Sequence, residues 1–266
     1  MRALAATLAL AIACATPAAR ADDRLRYDPW PHAAITTGVG LLFAGELVLR
    51  NALAPEACIH CGGNAFDRAA TEALAWENHP LATDLSNVGM VLLPVAAGAV
   101  GFVRDGGEAG AIDAIVLLEA MGISFLATEA LKFVVARERP MVVYLGPDHP
   151  KVADDPADRY VSFPSGHAST TFATVAAAAA IADLRGHDPV PIWLVGLPVA
   201  AGVSYFRVAG LHHWTTDVLA GAALGTIVGF AVPRLLHGGG RDERRAADGA
   251  AVSILPTGVV QLGGTF

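Results

Sequence analysis

Six long apolar segments, set apart by polar turns, constrain this chain more than any other feature of its 266 residues. They run over Ala33–Leu49, Leu81–Val103, Ala111–Val135, Ser165–Leu184, Ile192–Val208 and Thr215–Leu236. They are built from Ala, Leu, Val and Gly rather than from the Ile, Thr and Tyr that favour strands, so they predict helices. Several reach the ~20 residues that cross a bilayer. Charged residues make up 16% of the chain, against roughly 25% in soluble domains. Charges do sit inside the segments, among them Glu46, Asp113, Glu119, Glu129 and Lys132. In a membrane such groups must face the bundle interior or an interface. The expected fold is therefore all-α, a six-helix membrane bundle, with a soluble helical bundle as the alternative. The net charge of −7 argues against a nucleic-acid partner.

The chain divides into four stretches. Residues 1–21 have a basic start, an apolar core and a small-x-small ending, which predicts a signal peptide cleaved after Ala21, with an uncleaved anchor as the alternative. Residues 22–80 hold a polar strip, the first helix and a cysteine-containing connection. Residues 81–237 hold the remaining helices, and residues 238–266 a charged tail and a short C-terminal hairpin about Pro256. Cys58 and Cys61 form a Cys-x-x-Cys pair. Behind a secretory signal this favours a local disulfide over a zinc site, which wants four ligands. Asp67, Arg68, Glu72 and Glu77 read as a solvated helix face.

Residues able to do chemistry collect in three places. Lys132 and Arg139 flank the end of the third apolar segment, where Pro140 discourages helix at Arg139. Pro164-Ser165-Gly166-His167 opens the fourth segment: Ser165 is a candidate N-cap, and Gly166 lets a ligand approach unpaired helix-terminal amides. Arg207, His213 and Asp217 close the set. If His213 and Asp217 lie on one helix, their i, i+4 spacing puts them on one face, where the carboxylate would fix the imidazole tautomer. Taken singly, each group also suits a structural role: snorkelling cations, a helix cap, a His–Asp pair.

Together and in this order, the three groups resemble the signature of the type 2 phosphatidic acid phosphatase superfamily over roughly residues 81–236. That superfamily holds membrane lipid phosphatases, bacterial acid phosphatases and vanadium haloperoxidases. The resemblance implies that His213 is a nucleophile forming a phosphohistidine, oriented by Asp217, and that His167 is the general acid. It implies phosphoryl binding by Lys132, Arg139, Arg207, Ser165 and Gly166. No cofactor and no metal are expected. One departure is Phe206, where the family usually has Ser before the arginine; the nearest here is Ser204. His212 competes with His213 but lacks a carboxylate four residues on.

The expected activity is metal-independent hydrolysis of a lipid phosphate or diphosphate monoester. Alternatives are a secreted acid phosphatase of broad specificity, a vanadate-dependent haloperoxidase, or a non-catalytic lipid-binding protein. The expected location is a bacterial inner membrane with the site facing the periplasm, or else a soluble periplasmic protein. Arg234, Arg241, Arg244 and Arg245 argue for a cytoplasmic tail. With an even number of spans that conflicts with a leader cleaved outside. The sequence carries no sign of an oligomeric state.

Overall fold

The computed structural model describes residues 25–238 and the strand residues 251–254 and 260–263. The leader expected over residues 1–21 lies outside the described residues. Nine α-helices occur among the described residues: α1 Pro29–Leu53, α2 Ala65–Leu74, α3 His79–Asp105, α4 Gly107–Val135, α5 Pro140–Leu145, α6 Pro150–Ala153, α7 Gly166–Leu184, α8 Val190–Ala209 and α9 Thr215–Leu236, with a short 3-10 helix at Pro156–Asp158. The six long ones are the six apolar segments. Two strands, β1 Ala251–Ile254 and β2 Val260–Gly263, pair antiparallel with Ala251 opposite Gly263, forming the hairpin expected near the C-terminus.

Local signals set the helix ends. Asp28, Asn64, Asn78 and Ser165 accept backbone N–H bonds as N-caps of α1, α2, α3 and α7, satisfying amides that have no partner within the helix. The polar turn between the second and third apolar segments is a single break: α3 ends at Asp105, and Gly106, at φ +69°, turns the chain straight into α4. The polar connections contain α2, where a helix face was expected, and the two short helices α5 and α6. Prolines at the first turns of α5 and α6 start these short helices without costing a hydrogen bond.

Helix α7 is the axis of the bundle. Nearly all of its residues are buried, and α3, α4, α8 and α9 pack around it. The other five long helices are long and apolar enough to cross a membrane by length and composition. They expose apolar side chains outward, including Leu41, Val48, Val91, Val95, Leu194, Leu219 and Ile227. A belt of that kind suits lipid and not water.

The α7–α9 contact depends on the absence of side chains. A Cβ at Gly221, Gly225 or Gly229 would lie 2.4, 2.1 or 2.4 Å from the carbonyl oxygens of Ser165, Ser169 and Ala173. This small-residue stripe brings two backbones together, as helices in lipid favour. Gly225→Val should lower the thermal midpoint markedly, since overpacking costs about 1–3 kcal/mol or more. Gly202→Ala is the control, because a Cβ there meets nothing within 4 Å. Equal midpoints for the two variants would refute the close α7–α9 contact.

Candidate active site

All three groups singled out in the sequence lie at one end of the bundle. Helices α4 and α8 end there, and α3, α7 and α9 begin there. Lys132 sits in the last turn of α4, Arg207 in the last turn of α8, and Gly166–His167 in the first turn of α7. Arg139 immediately precedes α5, and His213 lies in the short turn between α8 and α9.

His213 is 1% exposed and both ring nitrogens are engaged. Nδ1 lies 2.7 Å from the Ser162 carbonyl oxygen, which can only accept, so Nδ1 carries the proton. Nε2 therefore presents its lone pair, and Arg139 Nη1 donates to it at 3.1 Å. Burial pushes the His213 pKa well below the usual imidazole range, and Arg139, Arg207 and Lys132 push it further. The ring is thus neutral and nucleophilic at physiological pH.

The expected contact between Asp217 and His213 differs in detail. Asp217 Oδ2 is 3.8 Å from His213 Nδ1, too far for a hydrogen bond. The i, i+4 argument assumed a continuous helix, but α9 starts only at Thr215. Asp217 instead accepts from Ser162 Oγ at 2.6 Å and from the Trp214 backbone N–H at 2.9 Å. It thereby holds Ser162, whose carbonyl holds His213. The orientation is indirect.

Arg137, passed over in the sequence, anchors this support. Its guanidinium binds Asp217 Oδ1 and also Asp67 Oδ2, the latter at 2.7 Å. Asp67 is fully buried and accepts from the Thr216 backbone N–H at 2.9 Å. Of the four residues expected on a solvated face, Arg68, Glu72 and Glu77 are exposed and Asp67 is not. Asn64 caps α2 so that Asp67, three residues on, turns inward onto the start of α9. Trp214, also fully buried, packs beneath Arg137 and reaches Gly63 so closely that a Cβ there would lie 2.6 Å from its ring. The Cys58–Cys61 disulfide closes the turn just before Gly62.

Among the described residues no carboxylate forms an ion pair with Arg207. It is 6% exposed, and its Nε is buried with no hydrogen-bond partner. Lys132 donates to Glu129 Oε1 at 2.6 Å, and Arg139 donates to Asp158 Oδ1 at 2.8 Å. Gly166 lies against Lys132: a Cβ there would be 3.3 Å from Nζ. Ser165 is fully buried and its Oγ caps α7, accepting from Ala168 N at 3.4 Å.

His167 Nε2 pairs with Asn87 Oδ1 of α3 at 2.9 Å, and its charged neighbours are Arg207, Lys132 and Arg139. A fourth cation, Lys151 of α6, also faces Arg207 and Arg139. Burial first and those two arginines next push it down to about 8. Only the fold brings it here, so no spacing rule could have found it. His212 is turned away, with Nε2 3.0 Å from Thr83 Oγ1. Phe206 stacks edge-on against Trp76 at 5.5 Å, filling with ring packing the place of a hydroxyl.

A buried neutral histidine ringed by cations, one of them short of a partner, is built for a multiply charged oxyanion. The PAP2 superfamily matches this chain over residues 113–240. Those residues are a PAP2 superfamily domain. The match takes in every histidine and cation described above. The chain is similar to the undecaprenyl-diphosphatase of Sulfolobus acidocaldarius, 32% identical over 44% of this chain and 52% of that protein. It is also similar to the decaprenylphosphoryl-5-phosphoribose phosphatase of Mycobacterium tuberculosis, 36% identical over 43% and 55%. The chain thus spans about half the length of these relatives. A crystal structure of a transmembrane PAP2 type phosphatidylglycerolphosphate phosphatase from Bacillus subtilis aligns with a TM-score of 0.47 and 24% identity, covering 74% of this chain and 93% of that one.

Proposed function

We propose that this PAP2 domain hydrolyses a lipid phosphate or diphosphate monoester through a phosphohistidine, with no metal in the reaction. The observation that carries the reading is Arg207, a buried guanidinium with an unpartnered Nε, one of three cations acting on a neutral His213 whose Nε2 accepts from Arg139. The phosphoryl oxygens bind Arg139, Arg207 and Lys132, together with the Gly166 amide at the start of α7. His213 Nε2 forms the P–N bond while the P–O bond to the leaving group breaks, and His167 gives its proton to that oxygen. Water then attacks phosphorus, His167 takes the water proton, and the P–N bond breaks. Such transfer needs positioning and charge more than covalent assistance.

Lys151 adds a further positive charge at the rim. The names of the relatives, an undecaprenyl-diphosphatase and a decaprenylphosphoryl-5-phosphoribose phosphatase, favour a lipid substrate, as does the apolar belt that would place the site at a bilayer surface. For the location we favour the face away from the cytoplasm, the periplasm in a bacterium. Leu25 pairs with Gly238, so the two ends of the bundle share the face opposite the site. If the arginine-rich tail is cytoplasmic, this arrangement favours a site on the outer face and the uncleaved anchor over a cleaved leader at residues 1–21.

The test is phosphate release from a panel of lipid phosphates and diphosphates in excess chelator, followed from pH 5 to 8. Because the His213 pKa is lowered, the nucleophile stays neutral as pH falls through the usual imidazole range. kcat/KM should therefore hold or rise from pH 7 to 5. It should fall on the alkaline side as the substrate loses its second phosphate proton, near about pH 6. Absence of release from every lipid, or a steep loss below pH 6.5, would count against the assignment.

A further inference from the structure

At the other end of the bundle lies a group of buried side chains that phosphoryl chemistry does not use. His32 near the start of α1, Glu119 inside α4 and His237 just past α9 are 6%, 1% and 1% exposed. Their potential ligand atoms all lie within 4.8 Å of one another. His237 Nε2 is 2.8 Å from Glu119 Oε2, and its Nδ1 is 3.3 Å from the Arg26 carbonyl oxygen. A neutral imidazole has one ring proton to give. If it goes to Arg26, a lone pair on Nε2 faces a carboxylate oxygen at a distance that demands a cation between them. His32 Nδ1 is buried, has no hydrogen-bond partner, and lies 3.7 Å from the same Oε2.

We propose that His32, Glu119 and His237 bind a late first-row divalent cation, Zn²⁺ being the natural choice, which clamps the start of α1 and the end of α9 onto α4. Two imidazoles and one carboxylate form a donor set that suits zinc and leaves one position for water. A proton on His237 would satisfy one pair and leave His32 Nδ1 orphaned, whereas a metal engages all three. The outer contacts are also in place. Glu119 Oε1 accepts from Thr36 Oγ1 at 2.8 Å, and the Arg26 carbonyl takes the far nitrogen of His237. Such partners orient metal ligands.

The His32 and His237 rings stack with centroids 4.0 Å apart. Binding one metal at about 2.0–2.1 Å therefore requires the rings to leave this stack and turn until both lone pairs converge beside Glu119. Arg26 N donates to His237 O at 2.8 Å, so backbone already joins the elements the metal would clamp. Glu119 lies about 20 Å along α4 from Lys132, at 1.5 Å per residue. The metal would act on stability and not on hydrolysis.

The experiment uses the full chain in detergent, stripped with chelator and dialysed. It is titrated with Zn²⁺ against a chromophoric chelator, and thermal unfolding is followed with and without the metal. The expected result is one Zn²⁺ per chain and a raised melting temperature. His32→Gln and His237→Ala should each weaken zinc binding by about a hundredfold or more and abolish the melting shift, while His213→Ala keeps both. His32→Gln removes a ring nitrogen that has no partner in the structure, so it folds even if His237→Ala does not. No zinc uptake by the wild type, or uptake and shift unchanged in His32→Gln, overturns the proposal. Phosphate release by His32→Gln stays at the wild-type rate, so a failure here is distinguishable from a failure of the phosphatase reading.

Discussion

His213→Ala should lower phosphate release by at least about a thousandfold, the scale seen when a nucleophile acting within a catalytic unit is deleted. His212→Ala should cost no more than about tenfold. The two histidines are neighbours in sequence, His213 buried and His212 half-buried, and both have pKa values held well below the imidazole norm. Their orientations separate them. His213 has its tautomer fixed by the Ser162 carbonyl at 2.7 Å and shows its free lone pair to Arg139. His212 spends Nε2 on Thr83, and its useful contact is its backbone carbonyl, which accepts from Arg139 Nη1 at 2.6 Å whatever the side chain. Rapid quenching with labelled substrate should trap acid-labile phosphate on the wild type and on His212→Ala, and none on His213→Ala. A trapped intermediate that survives in His213→Ala, or activity within tenfold of wild type, would remove His213 as the nucleophile.

Much of this was legible along the chain because its signals are local. Long apolar runs declare helices whatever surrounds them, and Ser165 marks where one of them begins. The clustering of Lys132, Arg139, Gly166, His167, Arg207 and His213 could be anticipated because each sits next to a helix end. What failed depended on geometry between distant segments. Asp67 looked solvated because its sequence neighbours are polar, yet its partners are Thr216 and Arg137. Asp217 seemed to touch His213 because four-residue spacing was taken as helical, and the turn before Thr215 breaks that premise. Lys151 reaches the site only through the path of α5 and α6. His32, Glu119 and His237 span most of the chain, and no spacing rule joins them.

Arg137→Ala should be the most destabilising single change at this end, costing about 3–5 kcal/mol, the cost of removing one partner of a buried ion pair. For a chain of this size that is a fall in melting temperature on the order of 10 °C. The reason is arithmetic of charge: one guanidinium serves two carboxylates, Asp67 and Asp217, each fully buried. Without it two negative charges face each other in a dry site. Arg137→Lys should recover only part of the loss, because an ammonium cannot fork between two carboxylates as a planar guanidinium does. Asp67→Asn in the Arg137→Ala background should recover some stability by removing one of the stranded charges, while its carbonyl still accepts from Thr216 N. Activity should follow a different pattern. Asp217 holds Ser162, and Ser162 holds His213, so loss of Arg137 loosens the nucleophile without touching the phosphate. kcat should fall more than KM changes. If Arg137→Ala melts with the wild type, the Asp67–Arg137–Asp217 bridge is not a structural element, and the support of His213 must come from the Ser162–Asp217 contact alone.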